Sequence, residues 1–155
     1  MTMIQTEQRH RLLIALPMLA AAPATLVVAK TRVEVCKGPR CGCCQDWIAH
    51  LEAHGFAVAV HDDGNSDARQ RLGVPLSPGS CHTALVDGYG IEGHVPARDI
   101  RRHVIERPRA AGLAVPPMPL GSPGMNGPAY AGRKDPFDVL LVRCDGRSTV
   151  FQSCR

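Results

Sequence analysis

Three cysteines crowd into four residues, Cys41-Gly42-Cys43-Cys44, where an extended segment gives way to a helical one. Thr31 to Cys36 reads T-R-V-E-V-C, with Val33 and Val35 alternating with polar residues, which predicts a strand. Pro39 and Gly42 break it. From Cys43 the pattern turns helical, with Trp47, Ile48 and Leu51 on one face and Gly55 as the stop. A helix start offers free backbone N–H groups and the positive end of the helix dipole, and both stabilise thiolate. A cysteine cluster at such a junction is therefore placed for redox or metal chemistry.

The rest of the chain fixes the frame around that junction. Phe56 to Val60 is a second strand, and Ser66 opens a short helix that Gly73 and Pro75 end. Cys81-His82-Thr83 leads into a strand at Ala84 to Val86, Asp87-Gly88 is a hairpin turn, and Tyr89 to Gly93 returns. Pro96 opens a helix to about Glu106 with Ile100, Val104 and Ile105 as its apolar stripe. This order predicts an α/β fold of the thioredoxin-like kind, a βαβ unit followed by a ββα unit on one mixed sheet. Residues 31–155 form one domain, the size that 155 residues allow. Aromatics are only 4% of residues, so Val, Leu, Ile and Ala must fill the core. Residues 113–132 are rich in Pro, Gly and Met, read as irregular, and are expected to fold over the cysteines. A terminal hairpin follows, from Asp138 to Arg143 and Ser148 to Gln152, around Asp145-Gly146.

The N-terminus sets the compartment. Arg9, His10 and Arg11 precede an apolar stretch from Leu12 to Ala29, and Ala22-Pro23-Ala24 offers small residues for cleavage. Residues 1–24 thus read as a secretory signal peptide, which implies a periplasmic protein with no stable membrane insertion after processing. A retained anchor is the rival, weakened by Pro17 and Pro23. The net charge of +4 is spread along the chain. Its densest basic stretch, Arg98 to Arg109, reads as a solvated helix face, and no nucleic-acid motif accompanies it.

The cysteines admit two chemistries. Cys41 and Cys44 have the C-x-x-C spacing of a reversible disulfide. Cys43 lies between them, and a redox dithiol needs no third thiol, whereas three clustered thiolates suit a soft metal. In thioredoxin-like folds the loop before the third strand faces the helix-start cysteines, and a proline normally precedes the threonine there. Here His82 takes that place beside Cys81. His94, in I-E-G-H-V-P, falls near the same end of the sheet. Met118 and Met125 sit in the irregular segment, and their thioethers favour Cu(I). Cys41, Cys43, Cys44, Cys81, His82, His94, Met118 and Met125 are eight candidate donors, more than one ion needs, so either some are not ligands or thiolates bridge more than one ion, which the crowding of the cysteines favours. Zinc is the competing metal, but a structural zinc site usually pairs two C-x-x-C knuckles and only one cysteine-rich stretch exists. The pairing of Cys36, Cys144 and Cys154 stays open.

Taken together, V-E-V-C-K-G-P-R-C-G-C-C-Q-D-W, R-L-G-V-P, S-C-H-T-A-L-V, Y-G-I-E-G-H-V-P-A-R-D-I, G-L-A-V-P-P-M-P-L-G-S-P-G-M and D-P-F-D-V-L-L resemble the CopG-type copper-resistance proteins. The resemblance spans about residues 31 to 152. It implies a periplasmic, thioredoxin-like protein that binds copper through the C-x-C-C cysteines, with Cys81, His82, His94 and the methionines contributing. It further implies a cysteine-bridged multi-copper site and interconversion of Cu(I) and Cu(II). Cys36 departs from it, standing where a tyrosine-like residue is expected, and Cys144 and Cys154 look like additions. Two rival functions remain at this point: a thiol–disulfide oxidoreductase using Cys41 and Cys44, and a copper chaperone passing metal to a periplasmic efflux or carrier protein.

Overall fold

The computed structural model describes residues 29–73, 79–116 and 118–155. Residues 1–24, read from the sequence as a signal peptide, and Pro75 lie outside the described residues. Among those described, no helix is long and apolar enough to cross a membrane.

The chain runs β1 (Arg32–Lys37), α1 (Gly42–Ala53), β2 (Ala57–His61), α2 (Ser66–Arg71), β3 (His82–Val86), β4 (Tyr89–Gly93), α3 (Ala97–Glu106), β5 (Gly112–Val115), β6 (Phe137–Val142) and β7 (Ser148–Cys154). A short 3-10 turn lies at Pro128–Tyr130. All seven strands form one mixed sheet in the order β2-β1-β3-β4-β5-β6-β7. The first β1-α1-β2 unit pairs in parallel, and β3 returns antiparallel against β1. The Asp87-Gly88 turn sets the β3–β4 register, placing Val86 opposite Tyr89 and Thr83 opposite Glu92. The βαβ-ββα order read from the sequence is the order observed.

The core lies on one face of the sheet. Val33 and Val35 of β1 and Val86 and Ile91 of β3–β4 meet Trp47, Ile48 and Leu51 of α1 and Ile100 of α3. Each such side chain, fully buried, contributes on the order of 1.5–3 kcal/mol. Alternation along β1 turns Glu34 and Cys36 to the other face. There Cys36 lines a cleft beneath α2 with His61 and Asp63. Burial there, with Asp63 next in weight, raises the Cys36 thiol pKa.

Three sequence expectations need correction. The irregular segment does not begin at Leu113, because Gly112–Val115 is a strand, parallel to β4 and antiparallel to β6. All four residues are buried, and a strand covered on both faces shows no alternation to read. Gly112 is required there, since a Cβ would collide with the Gly90 carbonyl. On α3 the inward stripe uses Ile100 and His103, while Ile105 is 74% exposed. The terminal hairpin runs on to Cys154, which pairs with Phe137 at one end, while Cys144 lies beyond the last residue of β6 at the other. Cys144 and Cys154 are both free thiols, as is Cys36.

Candidate metal centre

The C-terminal end of β1 delivers the chain to the start of α1, and there the cysteines gather. The sulfurs of Cys41, Cys43, Cys44 and Cys81 all lie within 4.8 Å of one another. Cys43 Sγ is 3.6 Å from Cys41 Sγ and 3.6 Å from Cys81 Sγ. Cys41 and Cys44 are joined in a disulfide, with their Cα atoms 5.3 Å apart. The bridge that sequence reasoning ranked below metal binding is therefore formed here. Cys43 and Cys81 remain free thiols beside it. Burial, followed by the hydrogen bond with Cys43, pushes the Cys81 thiol up to about 12.

Cys81 also belongs to a second group. Its sulfur lies with His82 and His94 such that all three donor atoms are within 4.8 Å of one another. The tautomers of both histidines follow from their partners. His82 Nε2 is 3.0 Å from the Gly93 carbonyl, and a carbonyl only accepts, so Nε2 carries the proton. That leaves the Nδ1 lone pair 3.7 Å from Cys81 Sγ. His94 Nδ1 donates to the Pro123 carbonyl at 2.7 Å, which leaves its Nε2 lone pair 3.6 Å from the same sulfur. A ring nitrogen fixed by a backbone carbonyl is the usual way a protein orients a metal-binding imidazole. Both rings stay neutral. Burial is the main cause for each, taking His82 down to about 3 with His94 adding to it, and lowering His94 as well.

Packing holds the rings in place. Trp47 stacks on His82 at 4.3 Å between centroids, and its indole N–H donates to the Val95 carbonyl at 2.9 Å. The segment after β5 crosses over the site. Gly124, at φ +83°, comes so close that an added Cβ would sit 2.5 Å from the Cys43 carbonyl oxygen and 3.2 Å from His94 Nδ1. Met118, 48% exposed, places its sulfur 3.7 Å from Cys81 Sγ. Met125 is engaged elsewhere, accepting from the Tyr130 hydroxyl at 3.4 Å. Seven of the eight candidate donors thus fall within two overlapping groups and one thioether contact, all sharing Cys81.

The remaining histidines play other parts. His50 accepts the Ala97 amide at 3.2 Å and so caps the start of α3, while His54 stacks against it at 4.2 Å. Sequence reasoning passed over Glu92. It is fully buried on β4 and tied to Arg69, Ser80 and Thr83. Counting outward from the two-residue Asp87-Gly88 turn pairs Thr83 with Glu92, so that partnership was available in the sequence.

The donor set suits a soft cation: up to four sulfurs, two neutral imidazoles with lone pairs aimed inward, and a thioether at the rim. Comparison with known proteins bears on which one. A family model described only as a protein of unknown function, DUF411, matches residues 78–125. No curated protein matches the chain. Two solved structures do, both described as copper resistance protein CopG. The first, form 1, is 44% identical over 81% of this chain and 98% of its own, with a TM-score of 0.73. The second, form 2, is 44% identical over 82% of this chain and all of its own, with a TM-score of 0.74. The chain belongs to the CopG family of copper resistance proteins. The match spans nearly the full length of those CopG chains, and the folds are alike.

Proposed function

We propose that this protein binds copper as Cu(I) in the periplasm as part of copper resistance, through a thiolate-bridged site holding more than one ion. The observation that carries the reading is the position of Cys81 Sγ. It belongs both to the group of Cys41, Cys43 and Cys44 sulfurs and to the group of His82 and His94 nitrogens, the donors within each group lying within 4.8 Å of one another. A sulfur so placed bridges naturally, since a thiolate has lone pairs for two soft cations. His82 Nδ1, His94 Nε2 and Met118 Sδ complete the shells. Met125 joins once its thioether turns from Tyr130.

The Cys41–Cys44 bridge gives the reading a redox side. As a dithiol the pair reduces two Cu(II) ions: two electrons pass to copper, two protons leave, and the S–S bond forms. The products are two Cu(I) ions and the disulfide, and the reverse reaction spends two Cu(I) to reopen the bridge. The same bridge favours one second reading, a thiol–disulfide oxidoreductase.

Anaerobic loading of the reduced, processed protein with Cu(I) tests this, with copper per chain and free thiols measured together. More than one copper per chain is expected, falling sharply when Cys43→Ser and His82→Ala are combined. A chain that refuses Cu(I) while Cys41 and Cys44 exchange with dithiols normally is an oxidoreductase instead. Saturation at a single ion would overturn the bridged site alone.

A further inference from the structure

Cys81 and His82 sit on a stretch of chain whose shape is set from behind, by a carboxylate that touches neither. Glu92 is fully buried on β4, two residues before His94. Its Oε1 accepts from the Ser80 amide at 2.8 Å and from Arg69 Nη2 at 3.0 Å. Ser80 Oγ lies 2.8 Å from Oε1 and 2.6 Å from the His82 carbonyl, and its one hydrogen serves one of them at a time. Oε2 accepts the Thr83 hydroxyl at 2.6 Å. Asn65 Nδ2 then donates to the Ser80 carbonyl at 3.1 Å and to Thr83 Oγ1 at 3.2 Å. Arg69 Nη2 reaches the Ser80 carbonyl too, at 3.0 Å. A Cβ on Gly79 would strike the Arg69 guanidinium, so the chain entering Ser80 lies directly on this ion pair.

The two residues flanking Cys81-His82 are thus tied to one carboxylate. A buried charge is costly to desolvate and is kept only when bonded on every side. Hairpin pairing alone needs no charge, because a Thr–Thr or apolar pair opposite one another holds two strands as well. What the carboxylate adds is direction: its two oxygens gather bonds from α2, from the chain before β3 and from β3 itself. We propose that Glu92 is a positioning residue for the metal centre, holding the Ser80–Thr83 stretch so that Cys81 Sγ stays between His82 Nδ1 and His94 Nε2. The proposal rests on the copper reading only for what the held residues bind.

The test compares Glu92→Gln with Val139→Ala, which removes a buried methyl pair on β6 and serves as a control for general destabilisation. Three quantities are read on reduced protein: Cu(I) affinity by competition with a chromophoric chelator, the thiolate-to-copper absorption, and the rate at which iodoacetamide alkylates Cys81 without metal. Loss of a group bonded directly to a metal ligand typically weakens binding ~10–100-fold; Glu92 acts one bond further out, so a loss at the lower end of that range is expected for Glu92→Gln, with an altered absorption and faster Cys81 alkylation. Val139→Ala should keep wild-type affinity and alkylation rate. Wild-type affinity and alkylation in Glu92→Gln, or equal losses in both variants, would overturn the proposal. If wild-type protein takes no Cu(I), the copper reading fails and the alkylation rates alone decide the positioning role. If Glu92→Gln does not fold, Thr83→Val removes the hydroxyl's bond to Oε2 and the one it accepts from Asn65, and leaves the carboxylate with its Ser80 and Arg69 partners. It must then show the same changes at smaller size, and unchanged values sink the idea.

Discussion

At the scale of single residues, two backbone carbonyls decide what the imidazoles can do. Gly93 and Pro123 take the protons of His82 and His94 and leave the opposite nitrogens facing one sulfur. Trp47 supports the same geometry from the side. Trp47→Phe keeps a ring against His82 but strands the Val95 carbonyl without its donor. A buried acceptor left unpaired costs about 1–3 kcal/mol, so the urea midpoint should fall accordingly. Cys81→Ser should remove far more Cu(I) than Met118→Leu, because the cysteine belongs to both donor groups and the thioether stands at the rim. Chelator competition on the two variants checks the ranking. Much of this was legible in the sequence. Cys81, His82 and His94 were found from their spacing and their place beside β3 and β4. Glu92 was missed, since a lone carboxylate between two glycines gives no hint of burial until the hairpin is paired. The Met125–Tyr130 contact had no signal, because it depends on how an irregular segment turns.

At the scale of elements, β5 shows where sequence patterns stop. A four-residue central strand followed by proline has neither alternation nor length to mark it, and only its neighbours β4 and β6 make it a strand. Gly112→Ala should therefore cost more than an ordinary glycine substitution, because the added methyl meets the Gly90 carbonyl with no room to yield. Loss of β4–β5 amide protection in hydrogen exchange would report it. On α3, His103 took a place the apolar pattern had given to Ile105. It is fully buried between Tyr89 and Phe151, and neither ring nitrogen has a partner among the described residues. Burial lowers its pKa from 6.5 to about 4. The unfolded chain thus takes up a proton at higher pH than the folded one. Stability contributed by the neutral ring is intact above pH 6.5, declines as pH falls toward 4, and levels off below that. The slope attributable to this group is at most about 1.4 kcal/mol per pH unit. His103→Leu should narrow the gap between unfolding midpoints measured at pH 7 and at mildly acidic pH.

At the scale of the whole molecule, the βαβ-ββα core was readable because each element carries its own stop signal: Gly55, Gly73, Asp87-Gly88 and Pro96. The C-terminal part was readable only in outline, since β5 and the crossing segment take their shape from contacts far away in sequence. That segment reaches the site because Gly124 has no side chain. Gly124→Ala should push Pro123 away from His94, free the ring to change tautomer, and weaken Cu(I) binding while leaving the thiol count unchanged. The disulfide across Cys41 and Cys44 has a consequence for any experiment on intact protein: air-oxidised chains should take up less Cu(I) than chains reduced beforehand, and a thiol titration beside the copper assay separates the two populations.

The chain has a single tryptophan, and that indole packs against the ring of His82, tilted from it by 32° with the centroids 4.3 Å apart. If the proposed copper site is right, the indole's emission should dim or shift when Cu(I) is added, and unchanged emission on loading would count against His82 as a ligand. No label need be attached, so the proposed copper loading can be tested in real time from one native fluorophore.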